Sequence, residues 1–204
     1  KVGRFVETTM IRNIIGQRIS GFSIREAMDK KKVLLVNLSK GKTGEVNANL
    51  LGLIIVSKLQ MAALSRADLP EDQRHDFYLY IDEFQNFITD SIATILSEAR
   101  KYRLNLIIAH QYMGQLVQNN DTKIRDAVIG NVGTMMLFRI GIDDAEMLEK
   151  EFAPTFNAYD LINVEQYTAY VKLLIDNTAT KPFNMMTVAP HLADRLETHA
   201  VKRL

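Results

Sequence analysis

The stretch Phe77–Gln85, FYLYIDEFQ, decides how the rest of this chain is interpreted. Its leading apolar and aromatic residues are typical of a buried strand, and the strand is followed at once by Asp82 and Glu83. A second apolar run, Leu104–Ala109, comes after a predicted helix over about 91–102. Strands that alternate with helices form parallel sheets with helices on both faces, so the pattern predicts an α/β fold.

Further elements extend this pattern in both directions. Val33–Leu38 (VLLVNL) is a continuous apolar run, which predicts a strand buried on both faces. Two more strands are predicted over Thr134–Ile140 and Gln166–Ile175, and helices over about 2–16, 22–28, 45–65, 113–130, 143–152 and 190–202. We therefore expect a single domain over residues 1–204, with a helical lead-in over about 1–32 and a terminal helix over 190–204.

The composition is that of an ordinary globular chain. Of its 204 residues, 47% are hydrophobic and 24% are charged, and the formal net charge is +1. This balance does not mark the whole chain as a nucleic-acid binder, so contact with DNA would need a local patch. Cysteine is absent, which excludes disulfides, thiolate metal sites and cysteine nucleophiles. No run reaches the roughly 18 apolar residues that predict a membrane span, and no signal peptide is visible.

The acid pair Asp82–Glu83 stands where ligands are expected, because parallel sheets bind ligands beyond the carboxyl ends of their strands. There the first carboxylate can reach the water shell of a Mg²⁺ ion held by nucleotide phosphates, and the second can polarise the attacking water. An apolar strand followed by two acids is the Walker B pattern. The alternative is a pair that caps the start of a helix, where Asp and Glu are also favoured.

Two further residues are candidates for the same chemistry. The predicted strand Leu104–Ala109 is followed by His110 and Gln111. The amide of Gln111 can bridge a water molecule and a γ-phosphate, whereas we expect His110 to pack against a neighbour. Arg100 lies in the basic cluster that ends the preceding helix. That cluster can simply interact with the helix C-terminus. Alternatively, Arg100 is an arginine finger, whose planar charged fork reaches the nucleotide of a neighbouring subunit.

Three segments together resemble the motor domains of the HerA–FtsK superfamily of P-loop ATPases. They are YLYIDEFQNF (78–87), SEARKYRLNLIIAHQY (97–112) and GNVGTMMLFRIGIDDAEMLEKEF (130–152). Within the superfamily, the chain is most similar to conjugative coupling proteins of the TraG/TraD type from type IV secretion, over about residues 33–190. The resemblance implies a RecA-like three-layer α/β fold with a mainly parallel central sheet, truncated at its N-terminal side.

The resemblance also implies roles for particular residues. It places the Walker B pair on Asp82 and Glu83, the arginine finger on Arg100 and the sensor glutamine on Gln111. Arg139, at the end of the predicted fourth strand, resembles a further interface or phosphate-side residue. ATP and Mg²⁺ are the implied cofactors, with Asp82 holding Mg²⁺ through water. The implied assembly is a hexameric ring of identical subunits that moves DNA through a central channel, with type IV secretion components as partners.

A phosphate-binding P-loop needs the spacing G-x-x-x-x-G-K-[ST]. Gly41-Lys42-Thr43 ends in this way, but the first glycine of the motif falls on Val36, inside the predicted strand. Strand order argues against it as well, because another strand normally separates the P-loop helix from Walker B. We therefore expect the true P-loop upstream of Lys1, and with it any membrane anchor of an otherwise cytoplasmic protein. Lys40 and Lys42 then lie either in a solvated turn or in a loop that touches DNA phosphates.

Two functions of other classes remain open at this point. The first is a catalytically inactive ATPase fold that serves as a platform for ring assembly or protein docking. Such a platform would have no physical need for the acid pair, Arg100 and Gln111. The second is a metal-dependent nuclease built on Asp82 and Glu83. It is disfavoured because Asp143 and Asp144 are expected to open a helix rather than complete a metal cage.

Overall fold

A computed structural model describes residues 9–188, apart from the side chains of residues 42, 90, 91, 93 and 94. The helices are α1 (Thr9–Ile15), α2 (Ile24–Asp29), α3 (Lys40–Thr43), α4 (Glu45–Leu64), α5 (Asp90–Glu98), α6 (Lys123–Asn131), α7 (Ile142–Phe152) and α8 (Ala158–Ile162). The strands are β1 (Phe77–Ile81), β2 (Leu104–Ile108), β3 (Met135–Leu137), β4 (Thr168–Lys172), β5 (Leu174–Ile175), β6 (Thr178–Ala179) and β7 (Phe183–Met186). Short 3-10 turns cover Ser65–Asp68, Glu71–Gln73, Phe84–Phe87, Ala99–Tyr102 and Met113–Leu116. The mixture confirms the α/β class.

The described chain divides into two compact units. The first comprises residues up to His110 together with Leu116–Val128, and the second comprises Gln111–Gln115 and the residues from Ile129 onward. The expected single domain over 1–204 stays a prediction. The predicted helix over 190–202 lies outside the described residues, and α1 falls within the predicted lead-in helix.

A parallel strand pair forms the centre of the first unit. β1 and β2 run side by side, in register from Phe77 opposite Leu104 to Ile81 opposite Ile108. Parallel neighbours need a crossover connection, and here α5 provides it. The predicted pair of strands is therefore confirmed. One expected feature is missing, however, because Tyr78 and Tyr80 are 57% and 72% exposed and no described layer covers them.

The long helix α4 confirms the prediction over 45–65. The segment Glu45–Asp68 is also the one stretch among the described residues that is long and apolar enough to cross a membrane by length and composition. Its buried residues include Ala48, Leu51, Leu59 and Ala63, and Gly52 lies directly against the ring of Phe87. The helix therefore buries part of its apolar surface within the first unit.

The predicted strand Val33–Leu38 is wrong. These residues have no regular secondary structure and pair with no described strand, and Val33 and Leu35 are 86% and 90% exposed. A strand buried on both faces needs paired neighbours and covering layers. Among the described residues, β1 pairs with β2 alone, so nothing recruits this run into a sheet.

The second unit contains an antiparallel sheet in the order β3-β4-β7. The predicted fourth strand is therefore present but shorter than expected and antiparallel to its neighbour. The predicted strand over Gln166–Ile175 is divided into β4 and β5, and β5 turns back through Asp176 and Asn177 to pair with β6. Both turn residues have positive φ, 48° and 61°, which is the backbone of a two-residue hairpin that Asp and Asn tolerate.

Two helices of the second unit have acidic residues in their first turns, and the start of α7 is as predicted. α7 carries Asp143 and Asp144 in its first turn, which confirms that this pair opens a helix. Asp144 is buried, and both of its carboxylate oxygens accept the backbone N–H of Met113, at 3.2 and 3.1 Å. α8 is held by a capping box between Asn157 and Asp160.

Candidate functional site

The site is built where β1 and β2 end. Pairing continues one step beyond both strands, because the Ala109 N–H donates to the Ile81 carbonyl at 3.0 Å and the Phe84 N–H donates to the Ala109 carbonyl at 2.9 Å. Asp82 and Glu83 are the residues between these two bonds. Phe84 directly follows the acid pair, and its side chain is fully buried. The acid pair is thus held at the carboxyl edge of the parallel pair.

The two acids have different environments. Asp82 is exposed, and its Oδ1 accepts the backbone N–H of Glu83 at 2.9 Å. Glu83 is half-buried and has left-handed backbone angles, φ 49° and ψ 47°. This conformation costs a residue with a side chain roughly 1–3 kcal/mol, and such residues cluster at functional sites. The strained backbone therefore supports a functional role for Glu83.

A third residue, Gln85, contacts the acid pair and was not predicted from the sequence. Its Nε2 donates to Oε2 of Glu83 at 2.6 Å, and its own Oε1 is buried without a hydrogen-bond partner among the described residues. The only sequence clue is its position, two residues after Glu83. The bond holds one carboxylate oxygen of Glu83 in a fixed place.

The structure differs from the alternative in which Asp82 and Glu83 cap the start of an α-helix. Glu83 precedes only the short 3-10 turn Phe84–Phe87, and its side chain makes no cap hydrogen bond there. The following helix, α5, has Thr89 as its N-cap. Neither acid therefore lies at the start of an α-helix.

Arg100 lies at the opposite end of the parallel pair. It is exposed in the 3-10 turn Ala99–Tyr102, which links α5 to β2. Arg103, the residue that follows this turn, has a left-handed backbone, and its carbonyl accepts the Phe77 N–H at 2.8 Å. The turn is thus level with the start of β1. Five residue steps along the chain separate Phe77, where β1 starts, from Asp82, which corresponds to roughly 16 Å in a strand.

Gln111 and Arg139 belong to the second unit and are described there alone. Gln111 is exposed, and its backbone N–H donates to Oε1 of Gln115 at 2.9 Å. Arg139 is exposed two residues beyond β3. Their predicted roles as sensor and phosphate-side residue stay predictions.

The segment that imitates a P-loop forms a closed helical turn. In α3 the Thr43 N–H donates to the Ser39 carbonyl at 3.2 Å and the Gly44 N–H to the Lys40 carbonyl at 2.9 Å, so these donors are used within the turn. A phosphate cradle needs such N–H groups to point at the ligand. Lys40 pairs with Glu45 at 2.8 Å, and this hydrogen bond lowers the pKa of Glu45.

The donor set at the acid pair fits a metal that is held mainly by its substrate. Among the residues that the structure describes, no group of three or more His, Asp or Glu side chains could hold a metal by itself. Mg²⁺ commonly keeps several waters and is bound by one or two carboxylates together with substrate phosphates. Asp82 with Glu83 beside it meets that requirement, whereas a nuclease-type metal cage is not present in this part of the chain.

Comparison with known proteins finds one family model and several solved structures that are similar to this chain. The family model for the TraM recognition site of TraD and TraG matches residues 76–155, which include β1, β2 and both site turns. The conjugative coupling protein TrwB in complex with an ATP analogue is similar in structure, with a TM-score of 0.62 at 15% identity over 88% of this chain and 47% of that one. Residues 76–155 are thus similar to the TraM recognition site of TraD and TraG, and the chain is similar in fold to TrwB.

Other solved structures support the same fold. TrwB with ADP and Mg²⁺ gives a TM-score of 0.61 at 16% identity, over 88% of this chain and 47% of that one. The genome packaging NTPase B204 of Sulfolobus turreted icosahedral virus 2 gives 0.51 at 15% identity, over 84% of this chain and 74% of that one. No curated protein matches by sequence. These likenesses confirm the RecA-like α/β fold. The chain spans less than half of the TrwB chains it matches.

Proposed function

We propose that this chain is the later part of the motor domain of an ATP-driven, DNA-translocating coupling protein. The observation that carries the proposal is the acid pair, held at the carboxyl edge of a parallel strand pair with Glu83 in a left-handed backbone. It lies within the segment that matches TraD and TraG. ATP is the substrate, and Mg²⁺ neutralises charge that develops on its phosphates.

Each site residue has a separate task in this proposal. Asp82 holds the water shell of Mg²⁺, and Glu83 orients and polarises the attacking water while Gln85 holds its second oxygen. Gln111 senses the γ-phosphate, and Arg139 lies on the phosphate side or at the subunit interface. Arg100 stabilises the charge on the nucleotide of the neighbouring subunit.

The position of Arg100 favours action on a neighbour. Its turn is at the amino end of β2, whereas Asp82 and Glu83 are at the carboxyl end of β1. Because a strand's length separates the two ends, an arginine side chain does not span from this turn to its own subunit's acid pair. A ring of identical subunits, which we propose is a hexamer, would bring the turn to the next nucleotide.

We propose that the phosphate cradle comes from polypeptide outside these 204 residues. Two observations support this part of the proposal. The chain spans less than half of TrwB, and the outer side of β1 exposes Tyr78 and Tyr80, although parallel sheets are normally covered on both faces. We propose that the P-loop half of the motor covers this face. Any membrane anchor would also lie outside these residues, leaving the motor on the cytoplasmic side.

The proposals for a nucleic acid partner and a protein partner each rest on a single observation. Lys40 and Lys42 in α3 supply positive charge for DNA phosphates. To bind a phosphate, Lys40 would leave its ion pair with Glu45. The family model is described as a TraM recognition site of TraD and TraG. We therefore propose a second function for residues 76–155, docking of a TraM-type protein of a type IV secretion system.

The experiment is an ATPase assay of the complete natural protein, with and without DNA, for wild type, Glu83→Gln and Arg100→Ala. Glu83→Gln should bind nucleotide normally and lose turnover, by about 100-fold or more. Arg100→Ala should lose turnover and regain it when mixed with Glu83→Gln subunits, whose Arg100 is intact. Wild-type turnover in both variants would refute the site assignment. Normal docking of a purified TraM-type protein without any wild-type ATPase activity would favour the inactive platform instead.

A further inference from the structure

One buried charge in the first unit has no place in the chemistry described so far. Arg66 is fully buried, and no other fully buried side chain among the described residues is larger. Its Nη1 donates to the Tyr102 carbonyl at 2.9 Å, its Nη2 donates to the His75 carbonyl, and its Nε lies 3.3 Å from Oδ1 of Asp29. Burial lowers the pKa of Arg66, but an arginine remains charged.

A second arginine reaches the same turn from the solvent side. Arg74 donates from Nη1 to the Lys101 carbonyl at 2.7 Å and from Nη2 to the Leu69 carbonyl at 2.7 Å. Its guanidinium carbon lies 5.4 Å from the centre of the Tyr102 ring, within the range of a cation–π contact. Arg74 also donates from Nε to the Arg66 carbonyl at 3.0 Å, so the two arginines form one connected cluster.

Two of the carbonyls that this cluster binds are the last two of the turn that carries Arg100. Carbonyls at a helical C-terminus have no partner within the helix and must be satisfied by other donors. Here Lys101 and Tyr102 are satisfied by Arg74 and Arg66, one each. A guanidinium fork is planar and rigid, so it fixes the direction of the peptide groups that it binds. The backbone on which Arg100 stands is therefore oriented from two sides.

We propose that Arg66 and Arg74 are positioning residues that fix the turn from which Arg100 reaches the nucleotide of the neighbouring subunit. The inference rests on the proposed function, because it assigns these arginines to the finger's action. Neither arginine touches the nucleotide in this scheme. The competing explanation is that the cluster only stabilises the fold.

Arg25 supplies a matched control. It also makes several bonds through its guanidinium group, to Asp29, to Ser65 at 3.0 Å and to Asp68 at 2.8 Å, but these tie α2 to the turn Ser65–Asp68 and do not involve the Arg100 turn. In the complete natural protein, Arg74→Gln should lower kcat for ATP hydrolysis by about 10–100-fold, since a misplacement of about 1 Å can cost 100-fold. KM should stay within about twofold, because the finger acts on the transition state. Arg25→Gln should leave both constants within about twofold of wild type.

Subunit mixing separates positioning from simple destabilisation. Arg74→Gln subunits keep their acid pair, and Glu83→Gln subunits keep their finger turn, so a mixed assembly should regain ATPase activity above the sum of the two separate variants. Lost turnover without recovery would overturn the inference and assign the cluster to stability alone. So would an unchanged kcat in Arg74→Gln.

Arg100→Ala in the same mixture distinguishes the two levels of the proposal. If Arg100→Ala is rescued and Arg74→Gln is not, the positioning role fails and the finger stands. If Arg100→Ala itself keeps wild-type turnover, the proposed finger fails first. Should Arg74→Gln not fold, Arg74→Lys enters the same test, since it keeps the charge but loses the fork.

Discussion

The two ends of the β1–β2 pair satisfy their polar groups in different ways. At the amino end, the carbonyls of His75, Lys101 and Tyr102 each accept a bond from a guanidinium group. At the carboxyl end, Glu83 has a strained backbone and Gln85 keeps a buried oxygen without a hydrogen-bond partner among the described residues. The amino end carries strain as well, because Arg103 has a left-handed backbone and the Nε atoms of Arg66 and Arg103 are buried without a hydrogen-bond partner among the described residues. The two ends therefore differ mainly in the groups they present, which are guanidinium-bound carbonyls at the amino end and carboxylates at the carboxyl end.

The difference indicates how stability and chemistry are distributed. A buried, unsatisfied oxygen costs about 1–3 kcal/mol, and a left-handed glutamate adds a similar amount. Such costs occur at both ends, and at the amino end the guanidinium bonds to three carbonyls offset part of them. We infer that the amino end contributes stability and fixes the turn of Arg100, whereas the carboxyl end contributes the reactive carboxylates.

The strongest test of this division is the loss of the buried arginine. Arg66→Met should destabilise the 204-residue chain by about 3–5 kcal/mol, because it leaves two carbonyls and Asp29 without their buried partner. Urea denaturation followed by circular dichroism measures the change. Arg25→Met is the control. It should lower the free energy of unfolding by no more than about 1 kcal/mol, because the ion pairs of Arg25 are partly exposed. Equal losses in the two variants would contradict a special role for the amino-end cluster.

The second test compares two aspartates that flank the same strand. Asp76 precedes β1 and Asp82 follows it, so Asp→Asn at each position removes one charge from one end only. Asp82→Asn should raise the Mg²⁺ concentration needed for half-maximal ATP hydrolysis by about 10–100-fold, as expected for a partner that acts through a metal-bound water. A Mg²⁺ titration of the complete natural protein measures this. An unchanged requirement would remove Asp82 from the metal site.

The carboxyl end could largely be predicted from the sequence, because its pattern is local. An apolar strand followed by two acids requires only the alternation of strand and helix to place Asp82 and Glu83 at a sheet edge. The parallel pairing of β1 and β2 followed from the same alternation and is confirmed. Gln85 was missed because its bond to Glu83 depends on the left-handed backbone of Glu83, which no propensity predicts.

The amino end could not be predicted, because its partners are distant in sequence. Arg66 meets the Tyr102 carbonyl across 36 residues and Arg74 meets the Lys101 carbonyl across 27. A polar residue in a polar loop gives no indication that it will be buried. The apolar run Val33–Leu38 failed for the opposite reason, since its pattern predicts a strand but the described residues offer it no partner.

The third test asks whether the unsatisfied amide at the carboxyl end serves chemistry. Gln85→Leu removes the bond to Glu83 and also the buried oxygen that lacks a partner. These changes oppose each other in stability, so we expect unfolding free energy within about 1 kcal/mol of wild type. Turnover should fall by about 10-fold, because Glu83 loses its fixed orientation. Gln85→Glu, which places a second negative charge beside Glu83, should lower turnover further. Wild-type turnover in Gln85→Leu would make the bond incidental.

The smallest expected effect belongs to the aspartate at the amino end. Asp76 accepts a bond from Asn105 Nδ2 at 3.1 Å and lies 3.9 Å from Nη1 of Arg103, and both charged side chains are more than two-fifths exposed. Exposed pairs of this kind contribute about 0–1 kcal/mol. Asp76→Asn should therefore change stability by less than about 1 kcal/mol and leave both turnover and the Mg²⁺ requirement within about twofold of wild type. A Mg²⁺ requirement as high as that of Asp82→Asn would show that charge near β1, rather than its position at the carboxyl edge, sets the metal dependence, and the functional contrast between the two ends would disappear.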